Sequence, residues 1–296
     1  MQVQANLSPV LETEADALAV GVFQDAPLEG AAAEVDRALG GAIRALVDRK
    51  EFSGRSYETA PILVPVGRAR QALVVGLGRK EKFDVGEAFR TAAAAARALA
   101  AKPRGRVALF LDQGNLADKN EAGVCGAIVG CQGQDLHRAE KNRHPFETLL
   151  WSGGNDEGIT RGKILGESVN LTRQIVNIPA DEIYPETFAI EAAGVAEDND
   201  LEIDVWDESR LVDERCGAIL AVAKGSSRPP RLVIMRYYGA ADRQAPALAI
   251  VGKGVTFDSG GLSLKPSEGM LTMKCDKAGA ATMVGAMQAI AQLNLP

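Results

Sequence analysis

Histidine is nearly absent from this chain of 296 residues: there are two, His137 and His144. A His-rich zinc centre is thereby excluded, and any bound metal has to draw on oxygen and amine ligands, which suit harder ions. Cysteine is scarce as well. Cys125, Cys131, Cys216 and Cys275 show no CxxC spacing. They read as isolated reduced thiols of a cytoplasmic protein, not as a thiolate site or a disulfide framework. Basic charge is in deficit, with 33 Lys and Arg against 39 Asp and Glu, a formal −6. That balance argues against nucleic acid and against a membrane surface as partners. No apolar run reaches the ~18 residues of a membrane span. Residues 1–20 lack a basic region followed by an apolar core, so no secretory leader is expected.

What is present is a chain with 46% apolar residues, enough to bury a core. At this length two domains are the natural expectation. Residues 1 to about 150 alternate between strand-like and helix-like patterns, which predicts an α/β domain with a mixed or parallel sheet. Strands are expected over Ala17 to Phe23, Pro61 to Val66, Ala72 to Leu77, Val107 to Leu111 and Thr148 to Leu150. Helical spacing links Val35, Ala38, Leu39, Ala42, Ile43, Leu46 and Val47. The alanine-rich stretch Ala88 to Ala101, ended by Pro103, and the small-residue stretch Glu121 to Gly130 predict two more helices.

A boundary is placed near residues 155–160, giving a first domain 1–155 and a second 156–296. The second opens on helices over about 160–177 and 186–197. Strands are then expected at Leu201 to Val205, Ala218 to Ala223, Leu232 to Tyr237 and Leu248 to Val251, with a last helix from near Lys277.

The chemistry concentrates after Val251. The run GKGVTFDSGG at 252–261, followed by Lys265, Lys274 and Asp276, sets lysines and aspartates close behind an apolar, strand-like stretch. Charges at the end of a buried strand are costly to desolvate unless they are paired or bind metal. A divalent cluster supplies such a reason, because carboxylates neutralise the cations and a cation holds a nearby lysine amine neutral. Taken singly, each of these residues reads equally well as a surface ion-pair partner. Gly76-Leu77-Gly78 lacks the third glycine of a dinucleotide loop, and Gly252-Lys253 lacks the flanking residues of a P-loop.

The string VGKGVTFDSGGLSLKPSEGMLTMKCDKAGAATMVGAM at 251–287 closely resembles the signature of the leucyl aminopeptidase family, the two-metal cytosolic exopeptidases. NLTRQIVNIPADEIYPETFA at 170–189 and CGAILAVAKGSSRPPRLVIMRYYG at 216–239 agree with it. The resemblance implies an N-terminal α/β domain followed by the first part of an α/β metallopeptidase domain with a central sheet. It implies Lys253, Asp258 and Asp276 as metal ligands, Lys265 as the catalytic lysine, and Met273 in the pocket for the substrate's first side chain. It further implies two divalent ions per site (Mn2+ or Zn2+), peptide substrates, a cytoplasmic location and, for full-length members, a homo-hexamer. The family's later Asn-Thr-Asp-Ala-Glu-Gly-Arg motif, which supplies two further ligands and a catalytic arginine, does not occur in these residues. The 296 residues are therefore expected to be an incomplete, inactive fragment; the alternative is a non-catalytic remnant serving as a binding or regulatory module. Lys277 stands where many members carry methionine, and its effect is expected on local packing. Lys274 is read as a structural or rim charge, and Asn170 and Asn177 as structural polar groups.

Overall fold

The structure, a computed structural model, describes residues 1–111, 117–242 and 247–296. The chain divides into two compact units, Met1–Glu167 and Ser168–Pro296.

The first unit is built on a six-stranded sheet. Its elements in chain order are β1 (Gln2–Asn6), β2 (Ala17–Phe23), α1 (Gly30–Ala38), α2 (Ala42–Asp48), β3 (Thr59–Ile62), β4 (Ala72–Gly78), α3 (Val85–Leu99), β5 (Arg106–Phe110), α4 (Ala117–Cys131) and β6 (Thr148–Ser152). The strand order is β1-β6-β5-β2-β4-β3. Every pairing is parallel except β3 with β4, so the sheet is mixed, as expected. A sheet covered on both faces makes its inner strands continuously apolar. Alternate residues of β2 show why: Ala17 and Ala19 pack with Ala92, Ala96, Val124 and Ile128 of α3 and α4. Leu18, Val20 and Val22 pack with Ala32 and Val35 of α1 and Ile43 of α2.

Two expectations for this unit need revision. The apolar stripe from Val35 to Val47 belongs to two helices, because the chain turns at Gly40 and Gly41, the latter at φ 87°. The strand expected over Pro61 to Val66 is instead Thr59–Ile62. Pro65 cannot donate to a ladder, and Pro61 is tolerated because β3 lies at the sheet edge. The short polar strand β1 was not foreseen.

In the second unit, α5 (Asp156–Asn177) contributes its residues from Ser168 onward. There follow α6 (Pro185–Asp198), β7 (Glu202–Trp206), α7 (Glu208–Asp213), α8 (Gly217–Ala223), β8 (Leu232–Arg236), α9 (Ser267–Met270), a 3-10 turn (Met273–Lys277) and α10 (Ala278–Gln292). Among the described residues the sheet here is the antiparallel pair β7–β8. Ile175, Ile183, Phe188, Ala192, Ala281 and Val284 form the core. α10 seats on α5 through Gly285, where an added Cβ would lie 2.3 Å from Thr172 Oγ1. Thr172 Oγ1 also donates to the Ala281 carbonyl (3.2 Å), and Gln288 Nε2 donates to Ser168 Oγ (3.1 Å).

Two strand expectations fail in this unit. Ala218 to Ala223 is helical. A short apolar run does not by itself distinguish strand from helix, and alanine and leucine favour helix. Leu248 to Val251 forms no strand, with Leu248 and Val251 89% and 92% exposed. Apolar composition supplies no backbone partner, and the β7–β8 ladder does not extend to these residues.

Candidate functional site

Residues 252–266 run without regular structure up to α9, and α10 holds their first part in place. The first N–H groups of a helix lack intrahelical acceptors. The Lys253 carbonyl takes one of them, accepting from Ala280 N at 2.8 Å. This approach needs glycine at 252, where a Cβ would stand 2.3 Å from the Gly279 carbonyl oxygen. Further on, Gly260 and Gly261 adopt φ +98° and +78°, a turn that side chains disfavour. The turn brings Lys265 N to the Ser259 carbonyl (2.8 Å) and Gly260 N to Asp258 Oδ1 (2.7 Å).

This backbone presents two acid–base pairs. Lys253 Nζ lies 2.9 Å from Asp276, and Lys265 Nζ lies 2.6 Å from Asp258 Oδ2. The Lys265 hydrogen bond holds the Asp258 carboxyl below the usual carboxylate range. The Gly260 N–H and the charges of Lys265 and Lys253 act in the same direction. The two pairs lie close together because Lys265 Nζ touches Met273 Sδ (3.2 Å), and Met273 shares the 3-10 turn with Asp276. Solvent screens such partly exposed pairs, and their contribution to stability is small.

Three more side chains approach this group. Met273 is buried, and its Sδ accepts from Lys265 Nζ at 3.2 Å. Lys277 is wholly buried and donates to the carbonyls of Ile178 (3.0 Å) and Lys274 (2.7 Å). Burial pushes its amine down to about 8. Lys274 Nζ reaches Asn177 Oδ1 at 3.4 Å, and Asn177 Nδ2 donates to Arg173 O at 2.8 Å. Arg173 donates to Asn170 Oδ1 at 2.7 Å. These last contacts stay within the scaffold of α5 and the 3-10 turn.

All five residues singled out from the sequence therefore lie in two linked contacts, Lys253 with Asp276, and Asp258 with Lys265 and Met273. The sequence did not show which acid faces which base, nor that Met273 touches Lys265. The full burial of Lys277 had one signal, its position just before the apolar face of α10. Concavity would have pointed elsewhere, since a cleft of about 500 Å³ opens beside α1 at Leu11, Glu34 and Arg37. Its lining offers a single carboxylate.

The donor set suits a hard divalent cation in part. Asp258 is held ionised, Asp276 adds a second carboxylate, and Lys253 offers an amine. Among the described residues no group of three or more His, Cys, Asp and Glu converges on one point. Two carboxylates and one amine fall short of the four or more ligands such ions take, so these residues fit as part of a shell.

Most of the chain is similar to known proteins. The model of the "Cytosol aminopeptidase family, catalytic domain" matches residues 170–296, and that of the family's N-terminal domain matches 19–144. A "Probable cytosol aminopeptidase" of Rhodopirellula baltica is 42% identical over 266 residues, covering 90% of this chain and 52% of its own length. Its counterpart in Solibacter usitatus is 38% identical, covering 99% and 60%. The chain thus spans a little over half the length of these curated relatives. Among solved structures, the bottromycin maturation enzyme BotP in complex with Mn matches at TM-score 0.78 and 30% identity, over 95% of this chain and 57% of that one. A tomato leucine aminopeptidase mutant matches at TM-score 0.81 and 26% identity, over 99% and 60%. With both family models matched in order, and the paired lysines and aspartates falling inside the catalytic one, the chain belongs to the cytosol aminopeptidase family.

Proposed function

We propose that the residues after Val251 are the first half of a metal-dependent aminopeptidase site that releases N-terminal residues from peptides. The carrying observation is the neighbourhood of the Lys253–Asp276 and Lys265–Asp258 pairs inside the segment matched by the family's catalytic domain. In this reading Asp258, Asp276 and Lys253 would hold divalent ions, Asp258 offering both of its carboxylate oxygens. Bound there, such ions would lower the pKa of a water and polarise a peptide carbonyl.

The chain's own residues do the rest. Asp258 stays ionised because Lys265 and the Gly260 N–H stabilise the carboxylate. Lys265, held on Asp258, keeps an ammonium where negative charge develops on the carbonyl oxygen of the scissile bond. Met273 offers an adaptable apolar surface to a leucine-like side chain. Manganese is the favoured ion, on the analogy of BotP, with zinc the other candidate. A cytoplasmic location and, for a full-length protein, a homo-hexamer complete the reading.

Titrating Mn2+ into the 296-residue polypeptide tests it. Binding is expected, and both Asp258→Asn and Asp276→Asn should abolish it. The same polypeptide should not cleave leucine p-nitroanilide, because the family's Asn-Thr-Asp-Ala-Glu-Gly-Arg motif is not among its residues; EDTA-sensitive turnover would contradict that. In a chain of the relatives' length, Lys265→Ala should lower kcat by about 10²–10³.

A further inference from the structure

Lys265 is braced from several sides. Its backbone N–H is tied to the Ser259 carbonyl at 2.8 Å. Its Cγ passes Gly260 so closely that a Cβ there would sit 3.2 Å away. Its ammonium donates to Asp258 Oδ2 at 2.6 Å and to Met273 Sδ at 3.2 Å. Asp258, Ser259 and Gly260 all belong to the same loop as the lysine. Met273 is the contact that comes from the 3-10 turn, the element that also carries Asp276, and it is buried and therefore fixed.

An ammonium has three N–H bonds. The carboxylate takes one and the sulfur a second, and the third meets no described residue. A thioether is a weak, uncharged, polarisable acceptor. It can set the direction of an ammonium without cancelling its charge, whereas a second carboxylate in its place would neutralise the group.

We propose that Met273 is a positioning residue for Lys265: its sulfur fixes the ammonium so that the remaining N–H points at the substrate carbonyl. This rests on the reading of Lys265 given above, and it adds to Met273 a task distinct from lining a side-chain pocket.

Two measurements test it. In the metal-free 296-residue chain, lysine-selective 15N spectra follow Lys265 Nζ, assigned through Lys265→Arg. Met273→Leu keeps the volume and removes the acceptor, so the fold should persist. The Lys265 ammonium protons should then exchange with water about threefold faster or more, and Met273→Gln, which restores an acceptor, should slow them again. Unchanged exchange in Met273→Leu overturns the proposal. In a catalytically competent chain of the relatives' length, Met273→Leu should lower kcat about fivefold, equally for leucine and alanine p-nitroanilides, with KM nearly unchanged. An effect confined to KM, or to the leucine-to-alanine ratio, makes Met273 a pocket wall only and equally overturns it. Should the parent cleave neither substrate, the aminopeptidase reading falls, and the exchange measurement alone still decides whether Met273 orients Lys265.

Discussion

The Lys277 amine has lost its solvation. Burial moves it from an ordinary 10.5 to about 8 in the folded chain, with two backbone carbonyls as its hydrogen-bond partners. The unfolded chain therefore holds the proton more tightly. Below pH 8 both states are protonated and the folded state bears the whole desolvation penalty. Between about pH 8 and 10.5 the unfolded state binds more protons, so stability rises with pH across that window. Denaturant midpoints of the parent should climb there relative to those of Lys277→Met, which has no amine to desolvate. A parallel pH dependence in the two proteins would count against the buried ammonium. At this scale the sequence was legible in part. Lys253, Asp258, Lys265, Met273 and Asp276 could be named because the string at 251–287 resembles the leucyl aminopeptidase signature; type and spacing alone left the charged ones readable as surface ion pairs. Their pairing could not, because it depends on the turn at Gly260 and Gly261 and on the α10 N-terminus closing over Lys253. Those are contacts of the backbone in space, and one-dimensional spacing does not encode them.

Elements were readable where burial imposes a period. β2 and β4 are apolar throughout because helices cover both faces of the sheet, and α3 is helical in composition and in fact. The reading failed at two short apolar runs, Ala218 to Ala223, which is helical, and Leu248 to Val251, which forms no strand. Composition alone does not decide between helix, strand and unpaired backbone there. Helix packing gives this scale its own prediction. Gly126 and Gly130 let α4 lie directly on the backbone of α3, and their added Cβ atoms would stand 2.1 Å from the Phe89 carbonyl oxygen and 2.3 Å from that of Ala93. Backbone cannot swing aside as a side chain can. Gly130→Ala should therefore destabilise by about 1–3 kcal/mol, the range for overpacking. Gly194, inside α6, meets nothing within 4 Å. Gly194→Ala should instead stabilise by about 0.5–1 kcal/mol through helix propensity. Urea denaturation of the two variants should give shifts of opposite sign, and a common sign would refute the close contact of α3 and α4.

For the polypeptide as a whole, the distribution of apolar surface matters most. The first unit encloses its sheet. The second leaves Leu248, Val251, Leu262, Leu264 and Leu271 mostly exposed, each of them at least 68%. Exposed leucines scattered singly need no explanation, but these fall within one stretch of 24 residues on a loop-rich segment around the proposed site, and such concentrations drive association. Among the described residues the backbone at Leu248 to Val251 finds no hydrogen-bond partner, and such N–H and C=O groups next to that surface invite strand pairing between chains. The net charge of −6 opposes association only weakly, and salt screens it over about 8–10 Å. The 296-residue polypeptide is therefore expected to self-associate, more strongly as salt is raised. Light scattering across a concentration series should show growing mass. Replacing Leu248, Val251 and Leu262 by serine should reduce it while leaving the first unit's circular dichroism and melting unchanged. A monodisperse monomer at high salt, binding no hydrophobic dye, would mean that these side chains are covered in solution and that this surface is not available for association.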